Sequence, residues 1–188
     1  MMNGRLLIRP FRVEDLAGLE LQAMQARDLE RLGEPLALIA NGEAWTLFHE
    51  AEDGRRRVRM CAGLYYFSPA RARAWALVGR DLGLRDWVVA ARKIGARLTL
   101  LQSEHGLRRV EAETPLHFPP GHRLFIHLGF QFEAALPGVG PTGETYCQYA
   151  RLSCSRKVSP RYDQCRALAY RVLIEDEIER ADQRRRAA

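Results

Sequence analysis

Apolar residues alternate with polar ones in several stretches of this chain, and recur at intervals of three and four in others. Leu6 to Arg9 predicts an opening strand that Pro10 closes. From Val13 the spacing becomes helical, with Leu16, Leu19, Ala23, Met24 and Leu29 on one side and Gly33 and Pro35 ending the region. Leu36 to Ala40 is a short apolar run of either type, followed by the turn signal Asn41-Gly42. Ala44 to Glu50 and Val58 to Phe67 predict two strands joined by a hairpin loop containing Asp53-Gly54. Gly63, inside the second of these, marks a bulge or a close approach of backbones. Arg73 to Val78 predicts another strand, and Gly79 to Asp86 a loop. Trp87 to Glu104 predicts a long helix with Val88, Ala91, Ile94, Leu98 and Leu101 on one face and Gly106 as its stop.

The stretch Arg109 to Ala134 carries the most information. Val110, Ala112 and Thr114 alternate with Arg109, Glu111 and Glu113, as in a half-buried strand whose charged face pairs Glu111 and Glu113 with Arg109. Pro115, Pro119, Pro120 and Gly121 break the pattern. His122 to Leu128 then places Leu124, Phe125 and Leu128 at helical spacing. Gly129 ends that helix, and Phe130, Phe132 and Ala134 alternate again. A Pro- and Gly-rich loop, Leu136 to Gly143, leads to a last strand, Thr145 to Leu152. The fold class is mixed α/β. Residues 1–152 are expected to form one domain and 153–188 a helical extension, with Leu168, Val172 and Leu173 as its apolar anchors.

Composition narrows the class. The chain has 188 residues, 47% of them hydrophobic and 28% charged, which suits a globular protein with a sizeable core. No apolar run is long enough to span a bilayer, and the first residues lack the apolar stretch of a secretion signal, so the expected address is the cytoplasm. Residues 1–150 hold 19 Arg/Lys against 17 Asp/Glu, a net of +2; residues 151–188 hold 10 against 6, a net of +4. Such a tail meets an acidic partner or nucleic acid, or is simply a solvated helix. No nucleic-acid motif accompanies the charge. Cys61, Cys147, Cys154 and Cys165 have no metal-ligand spacing, and Cys61 and Cys147 read as buried thiols in strands. Trp45, Trp75, Trp87, Tyr65, Tyr66 and Phe67 read as sheet and core packing.

A strand, an apolar helix, Gly129-Phe130 and a second strand together resemble the C-terminal half of the GNAT superfamily of N-acetyltransferases. The resemblance extends over roughly residues 5–152. Pro119-Pro120-Gly121-His122-Arg123 before the helix and Gly140-Pro141-Thr142-Gly143 before the last strand are similar to acetyltransferase-like proteins of tailed phages, podophages above all, and of prophages. The resemblance implies a mostly antiparallel sheet with a V-shaped splay between two parallel strands. It implies acetyl-CoA as co-substrate and a primary amine of a protein or small molecule as acceptor, in bacterial or phage-infected cytosol or in a virion. Leu77 and Val78 would offer backbone groups to the pantetheine arm.

In this family a loop of pattern Q/R-x-x-G-x-G/A wraps the pyrophosphate with backbone N–H groups at a helix start, where free donors and positive potential meet. The matching run is Arg80-Asp81-Leu82-Gly83-Leu84-Arg85. Arg80 and Gly83 fit the pattern, and Arg85 replaces its small last residue, where it either crowds the pyrophosphate or binds a phosphate. An ordinary strand-to-helix turn capped by Asp86 accounts for the same residues. The Tyr that often protonates the departing thiolate is Phe125 here, and the Asn often found near the short helix's start is replaced by Phe118. Glu111, Glu113 and His117 are the candidate general bases, with Glu111 and His117 preferred. The departures leave a second reading open: a GNAT-shaped protein without chemistry, acting as a binding or virion-assembly component. The segment 160–186 would offer a surface for a protein partner or a second copy.

Overall fold

A computed structural model describes residues 4–22, 25–26, 42–153, 174–175, 178–179, 183–184 and 186. The chain divides into two compact units, residues 1–97 and 98–188. The extension's anchors Leu168, Val172 and Leu173, the boundary region 154–160, Cys154, Cys165 and the run 33–41 lie outside the described residues. Within the extension, Ile174 is fully buried.

The first unit is a four-stranded antiparallel meander: β1 (Gly4–Pro10), β2 (Glu43–Ala51), β3 (Arg56–Ser68) and β4 (Arg71–Val78), paired in chain order. The β2–β3 turn forms where Asp53-Gly54 predicted it. Gly54 has φ +78°, and its N–H donates to the Ala51 carbonyl at 2.9 Å. Gly63 is a place of close approach. A Cβ there would lie 2.5 Å from the Glu43 carbonyl oxygen and 2.8 Å from the Ala44 Cβ. The bulge in this pair falls elsewhere, between Leu47 and Phe48. One face of the meander buries Leu19, Phe48, Val58, Cys61 and Leu77, and the other Leu47, Met60, Val78 and Ala90.

Three expectations in this unit need correction. The helix expected from Val13 opens as a 3-10 stretch, Val13–Gly18, after which Leu19 is extended and Leu21 bridges Gly79; among the described residues, α-helix is found only later, at 25–26. The turn is held by Asp15, a buried carboxylate. It accepts the Arg12 backbone N–H at 3.0 Å and the Thr46 hydroxyl at 2.6 Å and pairs with Arg9. Leu16 and Leu19 reach the core from a short turn and an extended segment, so their spacing imitated a longer helix. Phe67 is not core: it is 49% exposed, with the guanidinium of Arg71 stacked 4.8 Å from its ring centroid. The long helix α1 runs Leu84–Glu104, three residues earlier than its apolar face suggests, so Asp86 sits within the first turn instead of capping it. Gly106, at φ +70°, follows its end as expected.

The second unit contains β5 (Arg109–Pro115), α2 (Pro119–His127), β6 (Gln131–Leu136) and β7 (Tyr146–Leu152). β7 pairs antiparallel with β5 on one side and β6 on the other. The prolines 119 and 120 start α2 rather than preceding it, because Pro at the first helical positions forfeits no internal hydrogen bond. Gly129, at φ +79°, closes α2 with a Schellman motif. Its N–H donates to the Ile126 carbonyl at 3.0 Å, and the Phe130 N–H to the Phe125 carbonyl at 2.9 Å. The rings of Phe125 and Phe130 meet at 5.5 Å, the apolar contact that accompanies this motif. β5 is not half-buried. Val110 and Ala112 are buried on one face, and Glu111 on the other is only 2% exposed.

Candidate functional site

In the first unit, Leu77, Val78, Arg80, Gly83, Leu84 and Arg85 follow one another from the end of β4 into the first turn of α1. Leu77 and Val78 bury their side chains in opposite faces of the meander. The segment after them is tied down by backbone bonds. The Gly79 N–H donates to the Arg59 carbonyl at 2.8 Å, the Arg80 N–H to the Glu20 carbonyl at 2.8 Å, and the Leu82 N–H to the Gly79 carbonyl at 3.2 Å. The Arg80 guanidinium pairs with the Glu20 carboxylate at 2.6 Å. Asp81 turns towards Arg57, at 3.1 Å, and Arg59. Partial burial works against its charge, but hydrogen bonds and charge from Arg59, with help from Arg57, outweigh that and hold the carboxylate below its ordinary range. The negative charge of Asp81 is thus largely met by Arg57 and Arg59.

What is left open is the start of α1. Trp87 is the first residue whose N–H is taken by the helix, donating to the Gly83 carbonyl at 2.9 Å. The N–H groups of Leu84, Arg85 and Asp86 meet no acceptor among the described residues, as at any helix N-terminus. A Cβ at Gly83 would meet nothing within 4 Å, Leu84 is 80% exposed, and Arg85 is exposed with no carboxylate partner among the described residues. This arrangement suits an anionic group: three donors, a helix dipole and a guanidinium with room around them.

In the second unit, the Glu111 carboxylate accepts from Arg109 Nε at 2.6 Å, and the same guanidinium donates to Glu133 on β6, with Nη1 2.9 Å from Oε1. These bonds, the Glu133 contact foremost, stabilise the charged form of Arg109 strongly. Glu111 is therefore part of a buried ion-pair cluster, as the charged-face alternative anticipated. His117 is exposed on the turn after β5. His122 is fully buried in α2. Its Nε2 donates to the Leu116 carbonyl at 2.8 Å, which leaves Nδ1 to accept the Tyr149 hydroxyl, also at 2.8 Å. Phe125 packs on Phe130 and on Tyr149, at 5.2 Å. It brings no ionisable group to α2 and serves the helix end instead.

Sequence reasoning missed Asp15, the His122–Tyr149 pair and Gln25. The side-chain amide of Gln25 meets the backbone of β4: its Nε2 donates to the Ala76 carbonyl at 2.9 Å and its Oε1 accepts the Val78 N–H at 2.8 Å.

Cys61 and Cys147 are fully buried and unpaired, and burial pushes each thiol up to about 12. Since the thiolate is the reactive form, iodoacetamide at mildly alkaline pH is expected to leave both unmodified in native protein and to alkylate both in denaturant. Peptide mass spectrometry decides this; native modification of either residue would contradict the burial.

No protein-family model and no curated protein matches this sequence. Solved structures do match. A GNAT-family acetyltransferase from Bacillus anthracis superposes with a TM-score of 0.57 at 15% identity, covering 81% of this chain and 98% of that one. The spermidine/spermine N-acetyltransferase SpeG from Vibrio cholerae superposes with a TM-score of 0.55 at 14% identity, covering 80% and 94%. The fold is that of the GNAT acetyltransferases. At this identity the likeness carries the architecture and nothing about residues.

Proposed function

We propose that this protein binds acetyl-CoA and transfers its acetyl group to a primary amine. The observation that carries this reading is the start of α1, where three backbone N–H groups and the Arg85 guanidinium stand open on a GNAT-type scaffold. Leu84, Arg85 and Asp86 would direct backbone N–H groups at the pyrophosphate, and Gly83 would let it come close. Arg85 stands where the pattern of related loops has a small residue, and its exposure favours phosphate binding over crowding. Acetyl-CoA would supply the activated acyl group as a thioester. The chain's own task is then to hold the amine and take up its proton. Glu111 is committed to Arg109, which makes His117 the stronger candidate for that proton. The amine is unassigned; spermidine, named in one structural neighbour, belongs in an acceptor screen beside peptide amines.

Phe125 favours a second reading. With a structural phenylalanine in place of an acid on α2, the protein would bind CoA or a partner without turnover, in the manner of a phage or prophage assembly component, with 160–186 as a contact surface. Calorimetric titration with CoA and acetyl-CoA tests the first reading. Wild type is expected to bind in the micromolar range, and Gly83→Trp to lose at least about tenfold in affinity, or about 1.4 kcal/mol. A Cβ at Gly83 meets nothing within 4 Å, so the variant is expected to keep a melting temperature near that of wild type. Absence of binding at millimolar ligand would remove the acetyltransferase reading and leave the partner-binding one, and binding without acetyl transfer in the screen would select the second.

A further inference from the structure

We propose that Gln25 is a built-in occupant of the ligand-facing edge of β4, an amide that an incoming amide-bearing ligand must displace. The proposal rests on the acetyl-CoA reading and adds a gate to it. The Gly79 N–H points to β3, where it meets Arg59. Backbone groups alternate sides along a strand, so those of Ala76 and Val78 face away from β3. One side chain takes both groups. The Ala76 carbonyl can only accept and the Val78 N–H can only donate, so a single orientation of the carboxamide satisfies the pair. Arg80 on the same edge donates its N–H to Glu20, and Leu21 bridges Gly79. The strand edge from Ala76 to Arg80 is thus covered from within the first unit.

A pantetheine arm carries two secondary amides, each with one donor and one acceptor. It would ask β4 for the groups that Gln25 already holds. Entry then exchanges like for like: two hydrogen bonds to Gln25 are broken and two to the ligand are made, so little of their energy reaches the affinity. Met in place of Gln25 keeps the length and packing of the side chain but offers no hydrogen bond, and leaves the two backbone groups waiting for the ligand.

CoA and pantetheine are titrated calorimetrically into wild type, Gln25→Met and Gln25→Ala. Both variants are expected to bind both ligands about tenfold more tightly than wild type, equivalent to about 1.4 kcal/mol. Binding by the variants alone would support the gate still more strongly. Equal or weaker binding by the variants, with wild type binding CoA, overturns the gate and leaves the acetyl-CoA reading standing. Failure of all three to bind either ligand overturns both. A readout without mutation guards against misfolding: the Gln25 side-chain NH2 resonances of wild type should move on saturation with CoA, and resonances that stay in place under saturation overturn the gate.

Discussion

Replacing Arg109 by methionine is expected to lower stability by about 3 to 5 kcal/mol, more than any other single change considered for this chain. The guanidinium bridges two carboxylates: Glu111, beside it on β5, and Glu133, on β6 across the intervening β7. Glu111 is 2% exposed and Glu133 mostly buried, so removing the cation takes the charge that balances them from two carboxylates held largely away from water. Arg109 itself keeps 28% of its side-chain surface, and the water that reaches it should place the loss near the lower end of the range. Removing the whole cluster as Arg109→Met, Glu111→Gln and Glu133→Gln should recover much of the loss, because neutral amides at these places cost far less to bury. Urea titrations of the single and triple variants provide the measurement. A single variant within about 1 kcal/mol of wild type would mean that the carboxylates are hydrated or otherwise neutralised.

Gly63→Val should cost about 2 to 3 kcal/mol for a different reason. The new Cβ would sit 2.5 Å from the Glu43 carbonyl oxygen and 2.9 Å from the Ala44 Cα, both backbone atoms of the paired strand β2. A side chain can rotate out of such a conflict, but a strand held by its ladder can only move as a unit. Valine's strand preference does not offset this. Gly83→Ala is the natural control, because its Cβ meets no atom within 4 Å. Thermal unfolding should separate the two by several degrees, and equal melting temperatures would refute the close approach.

The parts of this structure that were legible in the sequence are those written in local chemistry. Asp53-Gly54, Gly106 and Gly129 mark positive-φ turns because only glycine adopts that backbone cheaply, and the alternation from Ala44 to Val78 marks the hairpins. Gly63 was legible as an exception, a glycine where a strand would ordinarily carry a side chain. What could not be read depends on partners far away along the chain. Thr46 reaches Asp15 across 31 positions, Gln25 reaches β4 across 51 and 53, and Arg109 reaches Glu133 across 24. No periodicity encodes such pairs. The same limit explains β5. Its alternating charges suggested a face open to water, whereas the structure buries Glu111 on that face and balances it with a cation. For the candidate site, the loop from Arg80 to Arg85 was readable as a pattern. That Arg80 and Val78 already spend their N–H groups on Glu20 and Gln25 was not.

The cover over β4 also bears on how this protein keeps to itself. A strand edge with unmet donors and acceptors is a template on which another chain can add a strand, and proteins commonly guard such edges. A cofactor that lies along a sheet edge protects it only while bound. Glu20, Leu21 and Gln25 give the stretch from Ala76 to Arg80 a guard that does not depend on ligand.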